Sequence, residues 1–475
     1  MNLDNVTFKR RFSVNFYRNL SIPMSEMSFH KDWINTNCGD PYPVLQLDGK
    51  VSESIENGEY SLTSQSGGKI CRLLGSFFPY ATYDLEVKDF SNSSYGFHFF
   101  NEDGFSLEIS ANKDNVNLKY KDKDLRFTPF SGGILSVTFR SGGVSIYSEN
   151  DSTDTLIADV DIEELKDLTT AESFRNIRVG VIALLSENGS VKIKSASSRI
   201  TAGISQADIK PIKYENGEVM LDNGRVYLTV SARQQVGCYQ VILSWRPTTS
   251  DFRMESAIFY DCGDGKWSND VALSLIFDRN TKKWIYWMCA FSHNHILGRG
   301  STEYDPRFGI NLLKVDLADN ENDGFCSVQG DEDPDIIFYD GKWHLSVCRF
   351  ETDGKYHYQH FVSDNPFGNF KYFDHTLTGD KTGGMFVKSA DKLYFICGTD
   401  FNNRAKYDVY LWNDFSSCFQ LKADFDDGGF RGWGSVMEIP AGSEKRLIWI
   451  TFDRHNGSNW NWSYGNIYVF DGEEN

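Results

Sequence analysis

The 475-residue sequence predicts an all-β protein: an N-terminal β-sandwich of jelly-roll type over residues 1–203, followed by a five-bladed β-propeller over residues 204–475. Three observations predict it. Apolar segments run or alternate for a handful of residues and then meet Gly, Asn, Asp or Ser, which is the pattern of short strands between turns. Long amphipathic helical periodicity is hard to find. From about Ala207 onward one unit recurs five times, as a solenoid or propeller requires.

In the first 200 residues the strand segments include YATYDLEVKDF, YGFHFFNEDGFSLEIS, GGILSVTFRSGGVSIYSE and IRVGVIALLS. They follow one another at the spacing of a sandwich, with no internal repeat. The run from Ser94 through Tyr147 resembles the meander of a concanavalin-like jelly roll. The best helical candidate is DVDIEELKDLTTAESFRNI, Asp159 to Ile177, enough for one or two short turns.

Each propeller unit has an acidic or Gly-rich entry, a short apolar strand, a turn and an aromatic-rich strand. The five turns are LDNGR, FDRNTKKW, YDGKW, SADKL and AGSEKRL. Five copies in residues 208–475, about 54 residues each, suit four-stranded blades plus loops. The first copy has a longer gap between its entry acid and its turn than the next two.

Composition narrows the partners. The net charge is −18 with a pI near 5.0, which argues against nucleic acid and anionic membrane surfaces. No stretch approaches the ~20 apolar residues of a membrane span. The start, MNLDNVTFKRRF, has no apolar core region and reads as mature sequence. Nine cysteines are scattered singly, and Cys289, Cys348 and Cys397 lie in apolar runs. They read as reduced core thiols of a cytoplasmic protein. No clustered ligand set for a metal is evident, so neither metal nor cofactor is expected.

Asp208, Asp270 and Glu332 stand at unit entries and are spaced 62 residues apart in both steps. Inner strands of a propeller start around one channel, so equivalent entry residues converge there. Several carboxylates in one pocket are what glycosidic bond cleavage needs: one protonated to donate to the leaving oxygen, another ionised to attack or to activate water. A third raises the acid's pKa by like-charge repulsion.

Glu332-Asp333-Pro334-Asp335 is similar to the Glu-Cys-Pro-Asp motif of the fructofuranosidases. The repeat region resembles the five-bladed propeller glycoside hydrolases: invertases, levanases and inulinases on one side, arabinofuranosidases and xylosidases on the other. The resemblance implies a general acid at Glu332, a residue that stabilises the transition state or tunes the acid at Asp270, and a nucleophile or base at Asp208. It implies an exo-acting hydrolase of small saccharides, furanosides favoured. Asp208-Ile209 departs from the usual Asp-Pro, Asn269-Asp270-Val271 departs from Arg-Asp-Pro, and the sandwich precedes the propeller instead of following it. Asp335 fits a strand-entry residue that accepts backbone N–H groups.

Further candidates surround these. His293 and His295 can share one strand face; without a matching third metal ligand, His295 is expected on a sugar hydroxyl. Arg431 and Trp433, opening the fifth unit, can pair with a substrate oxygen and stack on a sugar face. Arg454 and His455, in the aromatic-rich FDRHNGSNWNWSYGN, are further sugar contacts; most of that stretch reads as propeller closure. "GDGKW" half-resembles a sialidase Asp-box but does not recur. Two alternatives share the pocket: a non-catalytic carbohydrate-binding propeller, and a glycosyltransferase or phosphorylase, for which Arg431 and Lys388 are the candidate phosphate contacts.

Overall fold

The computed structural model describes residues 3–475 except 28, 30–41, 129, 131, 151–152, 321–323, 391, 400–406, 424–429, 442–443 and 454–465. It divides into two compact units, one of residues 1–22 and 202–475 and one of residues 23–201.

The larger unit is a five-bladed β-propeller. Its inner strands are Ser205–Pro211, Val271–Asp278, Asp331–Tyr339, Lys381–Ser389 and Phe430–Ala441, each hairpinned to the next strand of its own sheet. FDRNTKKW and YDGKW turn the inner hairpins of blades 2 and 3, LDNGR turns Leu221–Asp222 onto Arg225–Arg233 in blade 1, and the SADKL and AGSEKRL segments lie between paired strands of blades 4 and 5. The longer first gap is an excursion: Lys213–Tyr214 leaves blade 1 and pairs in parallel with the inner strand of blade 2.

The hydrophobic core is a stack of layers between blades, because each sheet is apolar on both faces. One cluster joins blades 1 and 2 around Tyr260 and Tyr286. The next joins blades 2 and 3 around Trp287 and Phe361, another blades 3 and 4 around Tyr358 and Phe395, and another blades 4 and 5. In the last, the Tyr407 and Trp449 rings stack at 5.7 Å and 6°. Burying each such side chain contributes about 1.5–3 kcal/mol.

Residues 1–22 correct the expected boundary at 203. Val6–Val14 pairs antiparallel with Ile467–Glu474 and supplies the outer strand of blade 5. The chain's N-terminal strand therefore completes the last blade; most of the aromatic-rich stretch expected to close the propeller, residues 454–465, lies outside the described residues. Phe12 and Phe16 of the same segment pack on Trp245 and Phe252 of blade 1. Closure is also bonded at the centre, where Ser435 Oγ of blade 5 donates to the Ile209 carbonyl of blade 1.

The inner strands share one irregularity. Register shifts occur between Ala207 and Lys210, Val271 and Ser274, Glu332 and Asp335, and Thr382 and Met385. In each, two residues oppose one, and the first has positive φ: Asp208 at 51°, Ala272 at 59°, Asp333 at 48° and Gly383 at 64°. These are β-bulges whose leading residue is left-handed, a conformation that favours Gly and tolerates Asp.

In the second unit every described pairing is antiparallel. Two strands are unusually long, Thr82–Phe100 and Arg178–Thr201. The Ser/Asn stretch 91–94 lies within one continuous strand, bent at Asn92 with φ 45°. The expected helical turns are short ones, Glu163–Thr169 and Ala171–Phe174.

Candidate active site

The bulges aim side chains at a central cavity of about 260 Å³ that every blade lines. Blade 1 supplies Asp208, Ile209, Lys210 and Arg233; blade 2 Ala272, Phe291 and His295; blade 3 Glu332, Asp333 and Tyr356. Blades 4 and 5 add Thr382, Gly383, Met385, Gly434 and Phe452.

Glu332 is the half-buried acid of this cavity. Its pKa is pushed up from 4.5 to about 7, by burial first; Asp333 and Asp208 add like-charge repulsion, while the His295 imidazole, 3.4 Å away, works the other way. Asp333, next in the chain, accepts bonds from Thr382 Oγ at 2.8 Å and the Gly383 N–H at 2.9 Å. Carboxylate oxygens of Glu332 and Asp333 lie within 4.8 Å of each other. The Cys348 thiol shares that spacing, but it donates to the Lys381 carbonyl at 3.2 Å and burial holds it firmly protonated.

Asp208 is partly exposed to the cavity and accepts a 3.4 Å bond from Arg233. Burial opposes the charge of Arg233, but Cys238, Asp208, Asp333 and Glu332 outweigh it and keep the guanidinium charged. Phe291 is 44% exposed and lies against His295 at 4.3 Å, which makes a half-open aromatic face beside the acid.

Below the carboxylates sits a buried tie of four blades. Asp335 pairs with Lys213 at 2.8 Å and accepts from Ser274 Oγ at 2.7 Å and the Phe386 N–H at 2.8 Å. Lys210 donates to the Pro334 carbonyl at 2.9 Å. These bonds fix the blade-3 entry from three neighbours, so Glu332 and Asp333 stand on a rigid base.

Of the expected site residues, the structure brings Asp208, His295 and Glu332 together and leaves Asp270 out. Asp270 stands two residues before Ala272, the leading residue of the blade-2 bulge, and does not line the cavity. It is 2% exposed and accepts from the Ser292 N–H at 2.9 Å and Oγ at 2.7 Å. Burial raises its pKa. Its blade-3 counterpart is Asp331, also buried and paired with Arg349 at 2.7 Å. At the blade-2 bulge stands Ala272, so the third carboxylate of the cavity is Asp333 on blade 3. The side chains of Arg431, Trp433, Arg454 and His455 lie outside the described residues. Lys388 sits toward the hairpin end of the blade-4 inner strand and does not line the cavity.

Arg233 and Phe291 were missed, while Asp333 was read only as part of the Glu332-Asp333-Pro334-Asp335 motif. Arg233 and Phe291 stand at the ends of second strands, where the only signal is a charged or aromatic residue closing an apolar run.

No family model matches the chain, and no curated protein does. Solved structures with similar folds include a family 117 glycoside hydrolase of the marine bacterium Zobellia galactanivorans, at 13% identity over 57% of this chain and 91% of that one, TM-score 0.38. An α-L-arabinofuranosidase from Clostridium thermocellum matches at 12% identity, covering 55% and 89%, TM-score 0.36. The catalytic domain of a Coprinopsis cinerea family 62 α-L-arabinofuranosidase matches at 10%, covering 57% and 91%, TM-score 0.37.

Proposed function

We propose that the chain is a glycoside hydrolase that removes a terminal sugar from a small saccharide. The observation that carries this reading is Glu332, a half-buried carboxyl whose pKa is raised to about 7, sharing one cavity with a second carboxylate on a different blade. At neutral pH Glu332 then holds a proton in a substantial fraction of molecules and can give it to the glycosidic oxygen as the C–O bond breaks. Asp208, approaching from blade 1, takes the electron-rich role: it attacks the anomeric carbon, or removes a proton from the water that does so. Asp333 keeps the proton on Glu332 by repulsion and opposes the positive charge that develops on the ring. Phe291 offers an apolar face for the C–H side of the sugar.

A cavity this small, closed at the depth of the bulges, suits a single sugar ring and hence exo action. Furanosides are favoured on the likeness of Glu332-Asp333-Pro334-Asp335 to the fructofuranosidase motif. The jelly-roll reading of residues 23–201 belongs to the same proposal, supported by the two long bent strands that each change partners along their length. So does a cytoplasmic location, supported by eight unpaired cysteines among the described residues.

The test is a hydrolysis screen against aryl glycosides and small furanose- and pyranose-containing oligosaccharides, run beside Glu332→Gln. Turnover that collapses in the variant supports the reading. Saccharide binding without cleavage, or cleavage undiminished in the variant, overturns it.

A further inference from the structure

Asp270, absent from the cavity, belongs to a second cluster. The loop Cys262–Asp270 after the last strand of blade 1 meets the turn Phe291–His295 of blade 2. There Cys262, Asp270 and His293 bring a thiol, a carboxylate and an imidazole whose donor atoms all lie within 4.8 Å of one another. Asp264 adds a carboxylate oxygen 3.5 Å from His293 Nε2. Ser292 Oγ donates to Asp270 at 2.7 Å and lies 2.8 Å from His293 Nδ1. That contact turns Nε2 toward Asp264.

The cluster carries more negative charge than its surroundings offset. Asp270 is almost fully buried and has no ion pair to lysine or arginine among the described residues. Buried carboxylates ordinarily have a cationic partner. Here His293 is the one nearby group able to carry positive charge among the described residues, apart from Lys266 at 4.0 Å from Asp264. His293 and Asp264 are 21% and 34% exposed, which leaves a route from solvent.

We propose that Cys262, Asp270 and His293 form a binding site for one zinc-class divalent ion, with Asp264 beside His293. One thiolate, one imidazole and one carboxylate make a three-ligand set with a fourth position left open, which suits zinc, while magnesium and calcium take oxygen donors throughout. On binding, the Cys262 thiol gives its proton to solvent and its sulfur to the metal, and His293 binds as the neutral ring. Ser292 then acts from behind, orienting both Asp270 and His293.

The ion has a structural consequence for the cavity. His293 lies between Phe291 and His295, and Asn294 and His295 have consecutive left-handed φ values of 56° and 53°. Such a turn is strained and needs holding. A metal on His293 ties it to blade 1 and so fixes the direction in which Phe291 and His295 enter the cavity. The pair His293 and His295 thus divides: one ring faces the cavity, the other the metal.

The experiment uses the full-length chain, stripped with a chelator and titrated with Co²⁺ and Zn²⁺. The expected result is one equivalent bound, a near-ultraviolet thiolate-to-cobalt charge-transfer band, and a melting temperature raised by Zn²⁺. Cys262→Ser loses the band, and His293→Ala weakens Zn²⁺ binding by at least about tenfold and abolishes the thermal shift. Cys348→Ser keeps the band. A wild type that binds no Zn²⁺, a band that survives Cys262→Ser, or one lost in Cys348→Ser instead, which would put the ion in the cavity, overturns the proposal.

Discussion

Replacing Glu332 by Gln should stabilise the propeller, and only above a definite pH. In the folded chain the Glu332 carboxyl titrates near 7 against 4.5 ordinarily. Below 4.5 both folded and unfolded chains hold the proton and the group costs nothing. As the pH rises from 4.5 to 7 the unfolded chain ionises while the folded one does not, so stability is lost. Above 7 both are ionised and the loss is complete. Each pKa step is worth about 1.36 kcal/mol, so the full loss is ~3 kcal/mol. The side chain is 14% exposed, so solvent screening takes little of it. Gln is neutral throughout and keeps the shape of the protonated acid. Urea unfolding of both proteins, followed by tryptophan fluorescence at about pH 4, 6 and 8, reads the difference directly. Near-equality at pH 4 and a variant more stable by about 3 kcal/mol at pH 8 is the expected outcome. A difference that does not change with pH would refute the burial argument.

Other outcomes follow from the same geometry. For whichever glycoside is cleaved, kcat/KM should fall on the alkaline side with an apparent pKa near 7, and Asp333→Asn should move that limb to lower pH by removing the nearest like charge; a pH–rate profile checks both. Asp208→Asn should cost between about 10² and 10⁴ in kcat with the fold intact by circular dichroism. Asp335→Ala strands Lys213 as a buried unpaired charge and should destabilise by about 3–5 kcal/mol, seen as a melting temperature lower by on the order of 10 °C.

How much of this was legible depends on what each residue had to signal. The blades were legible because each repeat pairs a turn-former with an apolar strand, from Asn223-Gly224 to Asp340-Gly341. Glu332 was legible because an acid at the entry of a strand that turns apolar from Ile336 has few purposes. Its partner was not, because the even 62-residue spacing does not follow the bulges, which are separated by unequal lengths of chain: Asp208 leads its bulge, Glu332 stands one residue before its own and Asp270 two before, so Asp270 falls outside the cavity and Ala272 takes the bulge. A bulge led by alanine or aspartate carries none of the glycine signal that marks Gly383. The outer strand of blade 5 was hidden because Val6–Val14 is basic and far from the blade in sequence; only its pairing with Ile467–Glu474 reveals it. The cavity face of Phe291 and the charge of Arg233 needed three dimensions, since both residues end strands that otherwise read as core.

The central claim is that Glu332 gives a proton to the leaving oxygen. It is tested most directly by comparing wild type with Glu332→Gln on a series of glycosides whose leaving groups grow steadily more acidic. A leaving group that departs unaided needs no acid, so the account predicts that the variant's deficit shrinks along the series, large for alkyl and sugar leaving groups and small for nitrophenolates. A deficit of equal size for every leaving group would contradict it, and would give Glu332 a role other than proton donor.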